Sequence, residues 1–272
     1  VSDWQPLGKL RQAVRDAQYG LDDLAFEHAL RLFSECSTHP EEVQRLKHLS
    51  PEYGRPEFLV CVEEDGTPVQ VSPGVLDRSA ATASAWPDFR LWFQRAFEGE
   101  GCETLLVARW LCHLAGFRHR AVQLFIDHPA VAGYTLIQVR GVGRFVYPGC
   151  FDVPVAGHVV GVQREEEALF REAKEELGLD RVDLADIRSL GGHACYELGK
   201  YLDIQDAEHL SVYAGRLRSD SWDRIRFTDR EVAALAVFSL AEIQGMMAAF
   251  PDRVASGLTH SLPLYLAGKL AP

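Results

Sequence analysis

No C-x-x-C pair occurs in this chain, although it holds six cysteines, at positions 36, 61, 102, 112, 150 and 195. Several of them sit in apolar runs, so buried free thiols in a reducing compartment are expected. An apolar run able to span a bilayer is also missing. The tail 256–270 is too short for that and is interrupted by Pro263. No signal peptide, internal repeat or low-complexity segment is visible, and a cytoplasmic location is the expectation. Basic charge is scarce: 28 Lys and Arg stand against 39 Asp and Glu, a net charge of −11. This argues against bulk binding to nucleic acid or to an anionic membrane. A small phosphorylated substrate needs only a local cation and a few arginines, for which Arg109, Arg118, Arg120, Arg140 and Arg144 are candidates. What is present is a globular composition. With 272 residues, 47% of them hydrophobic, the chain can bury a full core and hold one domain with additions, or two small ones.

The segment from Arg164 to Leu177 is rich in Glu, Ala, Leu, Lys and Arg, all good helix formers. Gly178 follows as a C-terminal cap. Residues three and four apart share a helix face, so Glu172, Glu175 and Glu176 converge. Ala168, Leu169, Ala173 and Leu177 supply the apolar positions. Three clustered carboxylates repel each other unless a cation sits among them. Hard oxygen donors suit Mg²⁺ or Mn²⁺ rather than zinc or copper. Such an ion can clamp a diphosphate and activate a water. The plain alternative is an exposed, charge-laced surface helix.

The run Arg171-Glu-Ala-Lys-Glu-Glu-Leu-Gly-Leu179 fits R-E-U-x-E-E-x-G-U, where U is aliphatic or small and apolar. It resembles the Nudix box, G-x5-E-x7-R-E-U-x-E-E-x-G-U. Counting back from Arg171 puts the opening glycine at Gly157, which fits, and the first glutamate at Gln163, which does not. The resemblance implies a Mg²⁺-dependent hydrolase of a diphosphate linked to another moiety, on a Nudix α/β/α sandwich with a mixed sheet. It assigns Glu172, Glu175 and Glu176 to the metal, with the Gly157 carbonyl and Glu208 as further ligands. Arg171 would brace the glutamates. The general base would be one of these carboxylates or another, with Glu231 a candidate. Gln163 can still accept a hydrogen bond from Arg171, more weakly than a carboxylate would.

The resemblance extends over about 56–245 of the sequence. Residues 58–71 read as two strands around an Asp65-Gly66 turn. Further strands are expected at 120–126 and 134–140, near 193–200 and 209–217, and at 232–238. Gly141 and Gly143 read as a turn, and Leu240 to Phe250 as a helix after Ser239.

A narrower resemblance is to isopentenyl-diphosphate isomerases and their Nudix relatives. It rests on Arg109-Trp-Leu-Cys-His-Leu-Ala-Gly-Phe-Arg-His-Arg120 and on Asp206-Ala-Glu-His-Leu-Ser-Val-Tyr-Ala-Gly-Arg216. It implies a metal held by counterparts His113, His119, His158, Asp206 and Glu208. Those isomerases carry a catalytic cysteine where this chain has Ala156, and Cys150 lies six residues too early to replace it. The scaffold is therefore isomerase-like, and the expected chemistry is hydrolysis.

The expected organisation is an N-terminal helical extension over 1–55, a Nudix domain over 56–250 with an insertion at 73–104, and a C-terminal helical tail over 251–272, where Pro263 would break or start a helix. Within the insertion, Trp86 to Phe97 reads as an aromatic-rich amphipathic helix. The expected partner is a small-molecule diphosphate, and a homodimer through the N-terminal helices is the expected assembly. The alternatives are an isomerase-like enzyme and a binding or regulatory protein that keeps the fold without turnover.

Overall fold

A computed structural model of the chain describes residues 12, 15, 57–71, 93–97, 103–144, 146–198, 205–228 and 230–270. The expected N-terminal extension lies outside these residues except for Gln12 and Arg15, both helical. Most of the expected insertion lies outside them as well. The chain divides into two units. Unit 1 comprises Val1–Arg120, Val159–Val162 and His193–His209; unit 2 comprises Ala121–His158, Gln163–Gly192 and Leu210–Pro272.

Unit 1 holds a four-stranded sheet of β1 (Phe58–Val60), β2 (Gln70–Val71), β3 (Phe93–Phe97) and β4 (Glu103–Ala108). All three other strands pair antiparallel with β4. The Asp65-Gly66 turn forms as expected. Asp65 Oδ1 accepts from Thr67 N at 2.9 Å, and Gly66 sits at φ +84°, where a side chain would also strike the His209 ring at 2.7 Å. Residues 93–97 are strand, not the end of an amphipathic helix. Phe93 pairs with Val107 and Phe97 with Glu103, and the five residues between the strands include Gly99 and Gly101. Aromatic residues suit a paired strand at least as well as a helix. Helix α1 (Arg109–Ala115) follows β4 directly, with Trp110 to Ala115 all buried. Gly116, left-handed at φ +84°, stops it.

The seven-stranded sheet runs in the order β11-β6-β5-β10-β9, with β7 on β6 and β8 on β5. Its strands are β5 (His119–Asp127), β6 (Tyr134–Arg140), β7 (Phe151–Asp152), β8 (Val155–His158), β9 (Leu184–Leu198), β10 (Gln205–Leu217) and β11 (Val232–Ser239). Strands β5, β9 and β10 carry residues of both units. Within unit 2, β6 pairs antiparallel with β11 from Arg140↔Val232 to Tyr134↔Ser239. Strand β8 pairs antiparallel with β5 from Ala121↔His158 to Leu124↔Val155. The α/β class read from the sequence holds.

Among its described residues unit 2 also carries the α-helices α2 (Glu165–Leu177), α3 (Leu240–Ala249) and α4 (Ser256–Leu270). Ser239 caps α3: its Oγ accepts from Glu242 N, while Glu242 Oε2 accepts from Ser239 N at 2.7 Å. Pro263 neither breaks nor starts a helix, because α4 runs through it. Tertiary contacts hold the helix across the lost backbone bond. The Tyr265 ring stacks on Phe125 at 4.1 Å, and Tyr265 Oη and Lys269 Nζ both donate to Asp127.

Candidate functional site

Helix α2 begins after the extended Arg164, whose backbone N donates to Glu167 Oε2 at 3.1 Å. Glu165, Glu166 and Glu167 fill the first turn, where negative charge complements the helix dipole. Gly178, at φ +71°, ends the helix, its N–H donating to Lys174 O at 3.0 Å. The buried face consists of Ala168, Leu169, Ala173, Leu177 and one acid, Glu176. Burial of each leucine contributes about 1.5–3 kcal/mol. That offsets part of the cost of taking a carboxylate out of water.

Glu176 is 3% exposed. Its Oε2 accepts from Ala156 N, on β8, at 3.0 Å. Burial first, then the charge of Glu172 and more weakly that of Glu231, push its carboxyl well above the ordinary carboxylate range. The Ala156 hydrogen bond and Arg144 pull the other way without balancing this. The protonated form of Glu176 is therefore favoured over what an exposed carboxyl would show.

The other expected residues gather around it. Arg171 Nη1 lies 2.8 Å from Glu172 Oε1 and 3.0 Å from Glu175 Oε2, and Nη2 donates to the His158 carbonyl at 2.8 Å. One guanidinium thus fixes both helix carboxylates to the end of β8. A side chain on Gly157 would lie 2.0 Å from Glu172 Cδ, so only glycine leaves room for that carboxylate. Glu231 pairs with Arg144. Arg226 N donates to Leu177 O at 2.9 Å and Thr228 Oγ1 donates to Glu175 O, so the 226–228 segment braces the C-terminal turn of α2. Arg171, Glu172, Glu175, Glu176, Gly157 and Glu231 all belong to unit 2.

One expected contact is absent. Gln163 Oε1 is buried without a hydrogen-bond partner, and so is Arg171 Nε. The neutral amide has the reach of a glutamate but lacks the charge that would draw the guanidinium to it, and Arg171 directs its Nη atoms to Glu172, Glu175 and the His158 carbonyl. Ala156 contributes its backbone N–H to Glu176 and no side-chain chemistry. Cys150 is buried with Sγ 3.7 Å from Asp252 O and 3.9 Å from Pro148 O, a structural thiol.

Glu208 lies in unit 1, with His119 and Asp206; one ligand atom from each of the three lies within 4.8 Å of the others. Asp206 and Glu208, two apart on β10, point to the same face. His119 is fully buried, and its Nδ1 donates to Phe117 O at 2.9 Å. Nδ1 thus carries a proton, and Nε2 lies 3.9 Å from Glu208 Oε1. His113 Nε2 lies 3.8 Å from Asp206 Oδ1, and its ring meets that of His119 edge-on at 5.0 Å. Cys195, which composition alone did not single out, joins this neighbourhood: burial, then the charges of Glu208 and Asp206, push its thiol up. Imidazole with carboxylate suits a divalent transition metal.

The fold and the box define an α/β protein whose charged helix turns one buried and two partly exposed carboxylates toward a glycine-bearing strand end. No protein-family model and no curated protein matches the sequence. Similar solved structures include the MutT protein of Methanosarcina mazei Go1, 19% identical over 57% of this chain and 96% of that one, with a TM-score of 0.43. A C. elegans Ap4A hydrolase is 20% identical over 55% of this chain and 98% of its own, with a TM-score of 0.39. RenU, a Nudix hydrolase from M. smegmatis, is 17% identical over 66% and 96%, with a TM-score of 0.40.

Proposed function

We propose that this chain is a Nudix-type pyrophosphohydrolase that cleaves the diphosphate linkage of a nucleoside diphosphate linked to another moiety, or of a similar organic diphosphate. The buried Glu176 carboxyl beside Glu172 carries this reading. A surface helix gains nothing by burying one of its acids next to another. An oxygen-lined cation site does, because the cation repays both the desolvation and the repulsion.

Glu172, Glu175, Glu176 and the Gly157 carbonyl would hold Mg²⁺ or Mn²⁺, and these all-oxygen donors fit such hard ions. When bound, the metal supplies charge neutralisation at the diphosphate and lowers the pKa of water. The chain's own residues do the rest. Arg171 holds Glu172 and Glu175 in a fixed orientation by ion pairs and ties them to β8 through the His158 carbonyl. Glu172, Glu175 and Glu231 are the candidate acceptors for the proton of the attacking water. Glu208 would serve as a ligand with His119 and Asp206. A homodimer and a cytoplasmic location belong to the same reading; among the described residues no helix is long and apolar enough to cross a membrane.

A second reading, an isoprenoid-diphosphate isomerase-like enzyme, draws on the His113, His119, Asp206 and Glu208 cluster. Ala156 weighs against it, since a methyl group has no proton to exchange with an allylic carbon.

The test is product release with Mg²⁺ or Mn²⁺ over nucleotide sugars, dinucleotides, coenzyme A, thiamine diphosphate and isopentenyl diphosphate, with Glu176→Gln as control. Hydrolysis that the control abolishes supports the proposal. Isomerisation without hydrolysis, or metal-dependent binding without any turnover, contradicts it.

A further inference from the structure

Arg144 and Glu231 come from loops 87 residues apart in sequence, yet their backbones are locked together. Gly141 N donates to Glu231 O at 2.6 Å, and Arg144 N donates to Gly141 O at 3.1 Å, closing the turn that presents Arg144. The approach is so close that a side chain on Gly141 would lie 2.1 Å from Arg230 O. Arg230 itself sits at φ +65°, the left-handed region that non-glycine residues rarely adopt. Next to it, the β11–β6 register shifts between Val232 and Ala234. Such bulges re-aim side chains. The loops are therefore fixed by backbone and glycine, while the ion pair between them is made by two side chains, each about one-quarter exposed (25% and 26%). The pair can open without either loop moving.

The charges around the box say what would open it. Glu172, Glu176 and Glu231 form an acidic group, and both Arg144 and Glu231 act electrostatically on the buried Glu176. Arg171 is engaged with two carboxylates and a carbonyl. A diphosphate arriving here carries more charge than one carboxylate and offers a guanidinium two oxygens at once. It is the natural competitor of Glu231 for Arg144.

Resting on the hydrolase reading above, we propose that Arg144 is a diphosphate-binding residue that Glu231 occupies in the free protein, and that substrate exchanges for Glu231 on Arg144. Binding then frees the Glu231 carboxylate toward the box, so that a candidate base becomes available only when a diphosphate is in position.

The experiment is calorimetric titration of the full chain with methylenediphosphonate, a diphosphate analogue that cannot be hydrolysed, in saturating Mg²⁺. Arg144→Gln is expected to weaken binding by about tenfold or more, the loss of a charge-assisted bond, with Arg144→Lys in between. Glu231→Gln is expected to tighten binding several-fold, because it removes the competitor. The double variant should bind like Arg144→Gln alone. A merely structural pair would weaken binding from both sides. Unchanged or weaker binding by Glu231→Gln, or unchanged binding by Arg144→Gln, overturns the exchange. Turnover by the wild type is scored separately, so an inert enzyme contradicts the hydrolase reading while the titrations still decide the role of Arg144.

Discussion

Gly157 and Glu172 pack so tightly that a methyl group on the glycine would lie 2.0 Å from Glu172 Cδ and 2.5 Å from its Cγ. The opening glycine of the box thus leaves the space that the Glu172 carboxylate occupies; its φ does not fall in the left-handed region. Gly157→Ala should fold normally, since the obstructing atoms end a flexible side chain, and should weaken Mn²⁺ binding by about tenfold or more through displacement of Glu172. Circular dichroism and Mn²⁺ titration by electron paramagnetic resonance check the two halves. Unchanged Mn²⁺ affinity would remove Glu172 from the ligand set.

Arg171 acts through the carboxylates it holds. Arg171→Lys keeps the charge but cannot reach Glu172, Glu175 and the His158 carbonyl together. Metal affinity should fall about 10–100-fold, as when other supporting partners of metal ligands are lost. Titration with Mg²⁺ before and after the substitution reads this directly.

Glu176 predicts a pH dependence of stability. Its folded carboxyl is raised above the ordinary value of 4.5. Between 4.5 and the raised value the folded state binds the proton more tightly than the unfolded chain does. The contribution of this group is therefore fully present below 4.5 and declines as pH rises through that window. The metal-free protein should lose stability on this account between pH 5 and pH 8, and Glu176→Gln should lose less. Mg²⁺ at pH 8 should restore the wild type through binding to the folded state alone. Urea melts with EDTA or Mg²⁺ at the two pH values test all three statements.

Gln163 is the one motif position that departs from the box, and its Oε1 and Arg171 Nε are both buried without hydrogen-bond partners. Gln163→Glu supplies a charged acceptor and is expected to raise Mg²⁺ affinity by a few fold, the gain of a charge-assisted bond to the guanidinium. Weaker metal binding in the variant would mean that a fourth carboxylate competes for Arg171 instead of supporting it.

The legible parts of the chain were those whose signal is local. Helix α2 was expected from Arg164 to Leu177 and runs Glu165–Leu177; β6 has the expected ends, Tyr134 and Arg140. Both follow from strong periodicity and clear glycine stops. Strand β3 was not legible, because the aromatic spacing of 86–97 fits a helix as well as a strand and pairing with β4 decides the matter. Strands β9 and β10 run further toward their N-terminal ends than expected, to Leu184 and Gln205. The early part of β9 carries Ser189, Gly191 and Gly192, which read locally as a loop. In the site, the three box glutamates were readable from helical spacing, and Arg171 from the resemblance to the box. The burial of Glu176, the Ala156 hydrogen bond and the Arg144–Glu231 pair arise only when distant segments meet. Arg144 and Glu231 were each candidates in the sequence, but nothing local joined them.

Hydrolysis of a diphosphate by this chain would require an ion held by the α2 carboxylates. The most direct measurement is the rate of hydrolysis of the best panel substrate against Mg²⁺ concentration, for the wild type and for Glu175→Gln. Glu175 is half exposed, with 52% of its side chain accessible, so its loss leaves the core intact. The rate is expected to saturate with Mg²⁺ in the wild type and, in the variant, to be lower and to need more Mg²⁺. Hydrolysis that is independent of Mg²⁺, or identical in the two proteins, would contradict that requirement.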